Sequence, residues 1–310
     1  MSTRSVKASS ILVVGSVALD SVETAKGRVE RALGGSSVYL SLSAVNFAPV
    51  SVVGVVGEDF PGEHRRLLEK RGVDISGLKT LPGKTFHWQG SYTRDFRSAI
   101  TKKTELNVFE KFRPELSDAE CRADILFLAN IDPELQLNVL SQMRRPRLVA
   151  CDTMNFWIER KRPQLLKLLK KVDFIFVNED EARQLTGEHS LILAGQNMLR
   201  LGPRAVLIKK GDYGASLFAC GKMAGLCAYP VRDVVDTTGA GDTFGGGFMG
   251  YIANSRRPHD FEELKKAMAW GTVMSSFKVE AFSVKRLASL KRPEIMRRWK
   301  EYISLVTVRS

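Results

Sequence analysis

The chain has 310 residues, of which 44% are hydrophobic and 26% charged, with a formal net charge of +13. That length suits one large α/β domain with room for a small lobe, and the balance of apolar and charged residues excludes disorder over the whole chain. The basic residues are dispersed and carry no aromatic-basic reading module, so neither nucleic acid nor a membrane is an expected partner; a small phosphate-bearing molecule suits the charge as well.

The start, MSTRSVKASS, is polar and basic, and the apolar run after it has only strand length, so no signal peptide or membrane span is expected. Residues 11–15, ILVVG, read as a buried first strand. GGSSVYLSLSAV, from Gly34, reads as a glycine turn feeding a helix, and residues 50–56 as a further strand. The segment 85–107 alternates polar residues with Thr, Phe, Tyr and Trp; it predicts two or three antiparallel strands forming a small β lid, with a contribution from 15–35. An α/β rhythm then resumes, with strands at 124–130, 147–151, 173–177, 205–209 and 215–219 and helices at 240–253, 261–279 and 291–302. This alternation predicts an α/β fold of a central, mostly parallel sheet flanked by helices, with residues 1–310 as one domain. Cys121, Cys151, Cys220 and Cys227 lack metal-ligand spacing, so no structural zinc is expected and a reducing cytoplasm is the expected compartment.

The most informative stretch is Asp236–Gly250, DTTGAGDTFGGGFMG, where polar residues and glycines run into an apolar helical pattern. Unpaired N–H groups at such a helix start can cradle a phosphate, and Gly239, Ala240 and Gly241 keep bulk out of the way. Asp242 suits a general base, but a first-turn acid favoured by the helix dipole reads equally well. The run Gly245–Gly247 forms helix poorly and asks for a packing reason. The stretch lacks the lysine of a Walker A loop, and Gly15 begins no dinucleotide fingerprint. Asn178 and Glu181, in NEDE, read as a helix capping box.

DTTGAGDTFGGGFMG resembles the C-terminal signature of the ribokinase-like, or PfkB, family of carbohydrate and nucleoside kinases. VVGSVALD at Val13–Asp20, GGSSVY at Gly34–Tyr39, GVVGEDFPG at Gly54–Gly62, NEDE at Asn178–Glu181 and KKGDYG at Lys209–Gly214 agree in order and spacing. The resemblance implies phosphoryl transfer from ATP, with magnesium, to a hydroxyl of a sugar-like substrate. Asp242 then stands as catalytic base and Gly239, Ala240 and Gly241 as the anion hole. Lys209, Gly211, Gly214, Thr238 and Gly241 fall on the nucleotide side. Asn178 and Glu181 organise magnesium through its waters, and Asp236 and Thr238 match a potassium site found in some relatives.

For the substrate, the resemblance implies Asp20, whose carboxylate suits a diol, with Gly34, Gly35 and Ser36. Tyr39 stands where many sugar kinases carry an asparagine. Asn130 follows a strand, and Asn155 lies in a region resembling D-x-N-x-R, with Trp157 in the place of the basic residue. Trp88 and Trp157 could line an aromatic pocket or pack in the core. The expected function is a carbohydrate kinase. The alternatives are a nucleoside kinase, a kinase of a hydroxymethylpyrimidine-type vitamin precursor, and a non-catalytic ligand-binding protein on the same scaffold. Relatives often pair through the lid, and the Thr/Phe/Trp-rich lid face fits either a homodimer or a monomer whose lid packs on itself.

Overall fold

The computed structural model describes residues 9–93, 96 and 99–307. Residues 94, 95, 97 and 98, inside the expected lid span, and residues 1–8 of the polar start lie outside the described residues. Strands β1 (Ile11–Val14), β4 (Val50–Gly57), β5 (Val73–Leu81), β8 (Ile125–Leu128), β9 (Leu148–Asp152), β10 (Phe174–Asn178), β11 (Ala205–Lys209), β12 (Ala215–Ala219) and β13 (Lys222–Leu226) build the main sheet. Its order is β13-β12-β11-β10-β9-β8-β1-β4-β5, parallel from β11 to β5 and antiparallel at the β13 edge. Along β1, Ile11 and Val13 point into one half of the core while Leu12 and Val14 point into the other. Both faces are covered, which is why these strands read as unbroken apolar runs.

The lid is a separate four-stranded sheet, ordered β3-β2-β6-β7, made of β2 (Ala18–Thr24), β3 (Gly27–Gly34), β6 (Phe86–Tyr92) and β7 (Ala99–Glu105). Within 85–107 only β6 and β7 pair antiparallel; β6 joins β2 in parallel. The hairpin β2–β3 follows directly from β1 and ties the lid to an interior strand of the main sheet. Asp20 is the register partner of Trp88, and the pleat puts Trp88, Gly90 and Tyr92 on one face with it. The other face is polar: His87 bonds Ser21 and Glu105 at 3.0 Å each, and Lys103 meets Glu105 at 3.0 Å. β7 is the exposed edge, and Lys102 and Lys103 on it discourage pairing with another edge.

The helix Ala240–Ile252 packs on Ser36–Ala44 on one side and Phe261–Lys278 on the other. Its glycine run has a steric cause. A Cβ at Gly246 would collide with the Leu40 carbonyl oxygen, and one at Gly247 would lie 2.8 Å from the Trp270 carbonyl oxygen. Backbone-to-backbone approach therefore holds this helix, and its first turn, against two others. No helix among the described residues is long and apolar enough to cross a membrane.

Candidate active site

The carboxyl ends of β1, β8, β9, β10 and β11 open on one side of the main sheet, where α/β folds hold their ligands. Asp152, Asn178 and Lys209 are the last residues of three adjacent strands, so parallel pairing alone lines them up. Lys209 Nζ lies 2.7 Å from Asp152 Oδ2, with the two side chains 17% and 7% exposed. The same ammonium would be 3.1 Å from a Cβ at Gly241, so it sits against the first turn of the glycine helix.

Gly239 starts that helix in the left-handed conformation, φ +74°, with the Tyr39 ring packed where a side chain would go. The Ala240 N–H donates to the Thr237 carbonyl, 3.1 Å, and the Thr243 N–H and hydroxyl both donate to the Gly239 carbonyl. Among the described residues, the N–H groups of Gly239 and Gly241 meet no acceptor. Those are the anion-hole groups the resemblance implies at Gly239, Ala240 and Gly241, with Ala240 turned inward instead.

Asp242 follows at once. Burial pushes its carboxyl well above the ordinary carboxylate range; Asp152 and Asp20 push the same way, while Lys209 opposes them. Glu181 is raised by burial and by Asp152, again opposed by Lys209. For Lys209, burial works to lower the pKa, but Asp152, Glu181 and Asp242 raise it overall. One ammonium thus serves three carboxylates, and the excess negative charge keeps a carboxylate here close to its titration point.

Asn178 and Glu181 form the capping box expected: Asn178 Oδ1 accepts from the Glu181 N–H at 2.8 Å, and Glu181 Oε2 accepts from the Asn178 N–H at 2.7 Å. Glu181 keeps its other oxygen outside the box. No three His, Cys, Asp or Glu side chains converge as a metal cage among the described residues. This donor set, one carboxylate oxygen and a capping amide, would fit a magnesium ion only through its waters.

Potassium fits less well. Asp236 Oδ1 accepts from the Thr238 N–H at 2.8 Å, and Oδ2 accepts from Lys278 Nζ at 2.9 Å and the Ser283 N–H at 3.2 Å. A lysine ammonium already stands against this carboxylate.

On the substrate side, Asp20 is buried at the base of the lid, and burial pushes its pKa up to about 7, although the Gly35 N–H bonded to it works the other way. The space that Gly34 leaves open is filled by this carboxylate, and Gly35 adopts φ +97° beside the Ser16 carbonyl. Ser36 turns its hydroxyl to Ser16 Oγ, 3.0 Å, bracing the turn. Tyr39 is fully buried, its hydroxyl unpartnered among the described residues, so its ring packs beneath Gly239 and offers no open stacking face. Tyr92 lies on the same lid face, and burial raises its phenol to about 12.

Asn130 accepts from Trp157 Nε1 at 3.0 Å, beside exposed Asn155 at the start of the helix Asn155–Arg160. Gly211, φ +56°, and Gly214, φ +87°, shape the turn after Lys209; at Gly214 a side chain would strike the Leu226 carbonyl. Sequence reasoning left out Asp152, Tyr92 and Lys278. A carboxylate ending a parallel strand was a usable signal for Asp152. A lysine in the apolar run of Phe261–Lys278 was a weak one, and nothing local marked Tyr92.

Residues 8–289 match the family described as pfkB family carbohydrate kinase. The chain is 29% identical to a cytidine kinase of Thermococcus kodakarensis over 252 residues, 79% of this chain and 89% of that one. Its fold overlays a nucleoside kinase of Methanocaldococcus jannaschii, an archaeal member of the ribokinase family, with a TM-score of 0.76 at 21% identity, covering 95% and 99% of the two chains. It also overlays a Vibrio cholerae fructokinase solved with fructose, ADP and a potassium ion, with a TM-score of 0.78 at 17% identity, covering 96% and 100%. With a match over most of its length, the chain belongs to the pfkB family of carbohydrate kinases, whose members phosphorylate sugars and nucleosides.

Proposed function

We propose that this chain transfers the γ-phosphoryl group of ATP to a ribose hydroxyl of a nucleoside. The observation that carries the reading is the pairing of Asp20 with Trp88 on the inner face of the lid: a carboxylate suited to a diol beside an aromatic surface suited to a base. The similarity to a cytidine kinase over most of the chain supports it.

Asp20 holds the ribose diol, and Asp242 orients the acceptor hydroxyl and takes its proton. Its raised pKa suits that task, because a base titrating near the working pH removes a proton most effectively. The Gly239 and Gly241 N–H groups and the Lys209 ammonium face the charge that develops on the transferred group. Glu181 and Asn178 would hold a magnesium ion through its waters, and the ion would supply positive charge against the ATP phosphates. The lid sheet, which carries Asp20, Trp88 and Tyr92, covers the substrate and keeps water out.

The test is ATP consumption with cytidine, adenosine, uridine, ribose and fructose, in the wild type and in Trp88→Ala. Removing a stacking surface is expected to raise KM for nucleosides about tenfold and leave any ribose turnover unchanged. A free-sugar preference, with no nucleoside turnover, overturns the nucleoside reading and returns Trp88 to packing.

A further inference from the structure

Lys278 ends the long helix Phe261–Lys278, and its side chain is fully buried, as is that of Asp236. An ammonium has three hydrogens and no acceptor. All three are used: Nζ lies 2.9 Å from the Asp236 carbonyl oxygen, 2.9 Å from Asp236 Oδ2 and 3.3 Å from the Ala281 carbonyl oxygen. One carboxylate and two carbonyls around a single positive charge form an oxygen set of the kind a hard cation takes.

We infer that Lys278 is a tethered monovalent cation: its ammonium replaces potassium beside Asp236 and holds the segment Asp236–Gly239 in anion-hole geometry, so turnover needs no added monovalent ion. Lys278 acts through that segment and is a positioning residue. The inference rests on the kinase reading for its catalytic consequence.

The surroundings are built around this contact. The Val279 carbonyl accepts from the Val235 and Asp236 N–H groups, at 2.8 and 3.3 Å, which pins the loop after Lys278 to the strand-like segment before the anion hole. Glu280, next in that loop, is clamped by Arg286 and Arg298. Ser283 donates its N–H to Asp236 Oδ2 and its hydroxyl to the Leu33 carbonyl at 2.6 Å, joining the same carboxylate to the lid hairpin. Lys278 Nζ lies 5.5 Å from the centre of the Tyr39 ring, the ring packed beneath Gly239. Moving the ammonium would therefore disturb the helix start, the lid base and the Tyr39 wedge together. A potassium ion added to this pocket would find both Asp236 oxygens already accepting hydrogen bonds and a buried ammonium beside it, while Asp20, the other buried carboxylate near Lys278 among the described residues, makes no hydrogen bond to it.

The test compares turnover and melting temperature of the wild type in potassium, sodium or choline chloride at equal ionic strength, alongside Lys278→Ala. Wild-type kcat and melting temperature are expected to agree across the salts, within about twofold for kcat. Lys278→Ala is expected to lose about 100-fold in kcat, in the range of a lost anion-hole donor, and to regain activity saturably with potassium or methylammonium but not choline. Its melting temperature should rise with the same ions, as for any ligand bound by the folded state. Potassium-specific activation or melting shift of the wild type overturns the inference, as does a Lys278→Ala enzyme fully active in choline. If the variant fails to fold in every salt, the wild-type melting comparison decides alone. That comparison needs no turnover, so it stands apart from failure of the kinase reading.

Discussion

Lys209 and Lys278 both bury an ammonium against an aspartate beside the start of the glycine helix, at 2.7 and 2.9 Å, yet their surroundings differ in charge balance. Around Lys278 the hydrogen-bonded count is even: one ammonium meets one carboxylate, its other two hydrogens go to backbone carbonyls, and backbone N–H groups of Thr238 and Ser283 complete Asp236, with Asp20 acting only from farther off. Around Lys209 it is not, because Asp152, Glu181 and Asp242 share one cation, and both side chains of the central pair keep some exposure. A balanced buried pair fixes geometry. An unbalanced one leaves its carboxylates raised and short of a counter-charge, which is the electrostatic setting the proposed function draws on.

That contrast can be broken most directly at Asp242. We predict that Asp242→Asn lowers kcat by about 1000-fold, within the usual range for a general base, without lowering the melting temperature at pH 8, because burial raises this carboxyl as it does that of Asp20. Near-normal turnover in a folded Asp242→Asn enzyme would return this residue to a helix-dipole role.

A smaller effect should follow from Lys209→Met, a loss of about 100-fold in kcat. The sharper readout is the pH profile. Lys209 lowers the Asp242 pKa, so its removal raises it, and the acid limb of kcat/KM should move to higher pH. An acid limb that stays in place would show that the two groups do not communicate.

Packing of the glycine helix gives the next step down. Gly246→Ala forces a methyl against the Leu40 carbonyl and is expected to cost about 1–3 kcal/mol in denaturant unfolding. No loss of stability would mean that the helix can shift away from Ser36–Ala44 without penalty.

The smallest effect has the opposite sign. The folded-state pKa of Asp20 is raised from 3.8 to about 7, so the stability linked to its protonation is present below the unfolded value and lost as pH rises through 7. Asp20→Asn should therefore melt higher than the wild type at pH 8, with the gain shrinking by pH 5, while substrate turnover falls. A variant that melts lower at pH 8 would show that the Gly35 bond outweighs desolvation.

Much of the fold was legible. Residues 205–209 and 215–219 were expected as strands and are β11 and β12, because strands buried on both faces leave unbroken apolar runs bounded by glycine and polar residues. The helix expected at 240–253 occupies Ala240–Ile252. The lid was harder. Its 85–107 portion showed by alternation, but the parallel union of β6 with β2 joins segments far apart in the chain, and no local pattern encodes it.

Neighbouring residues alone carry the short-range chemistry: the glycine-flanked start of the helix, the carboxylate in its first turn, and the capping box of Asn178 and Glu181. These depend on neighbours within a turn, so spacing suffices to read them. Tertiary structure alone decided which charges meet. Lys209 and Asp152 are 57 positions apart, and Lys278 and Asp236 are 42 apart. Strand order and helix packing bring them together, and burial in a low dielectric then makes their pairing and their imbalance count. The same burial removed Tyr39 from any stacking role, since its ring is the wedge on which Gly239 rests.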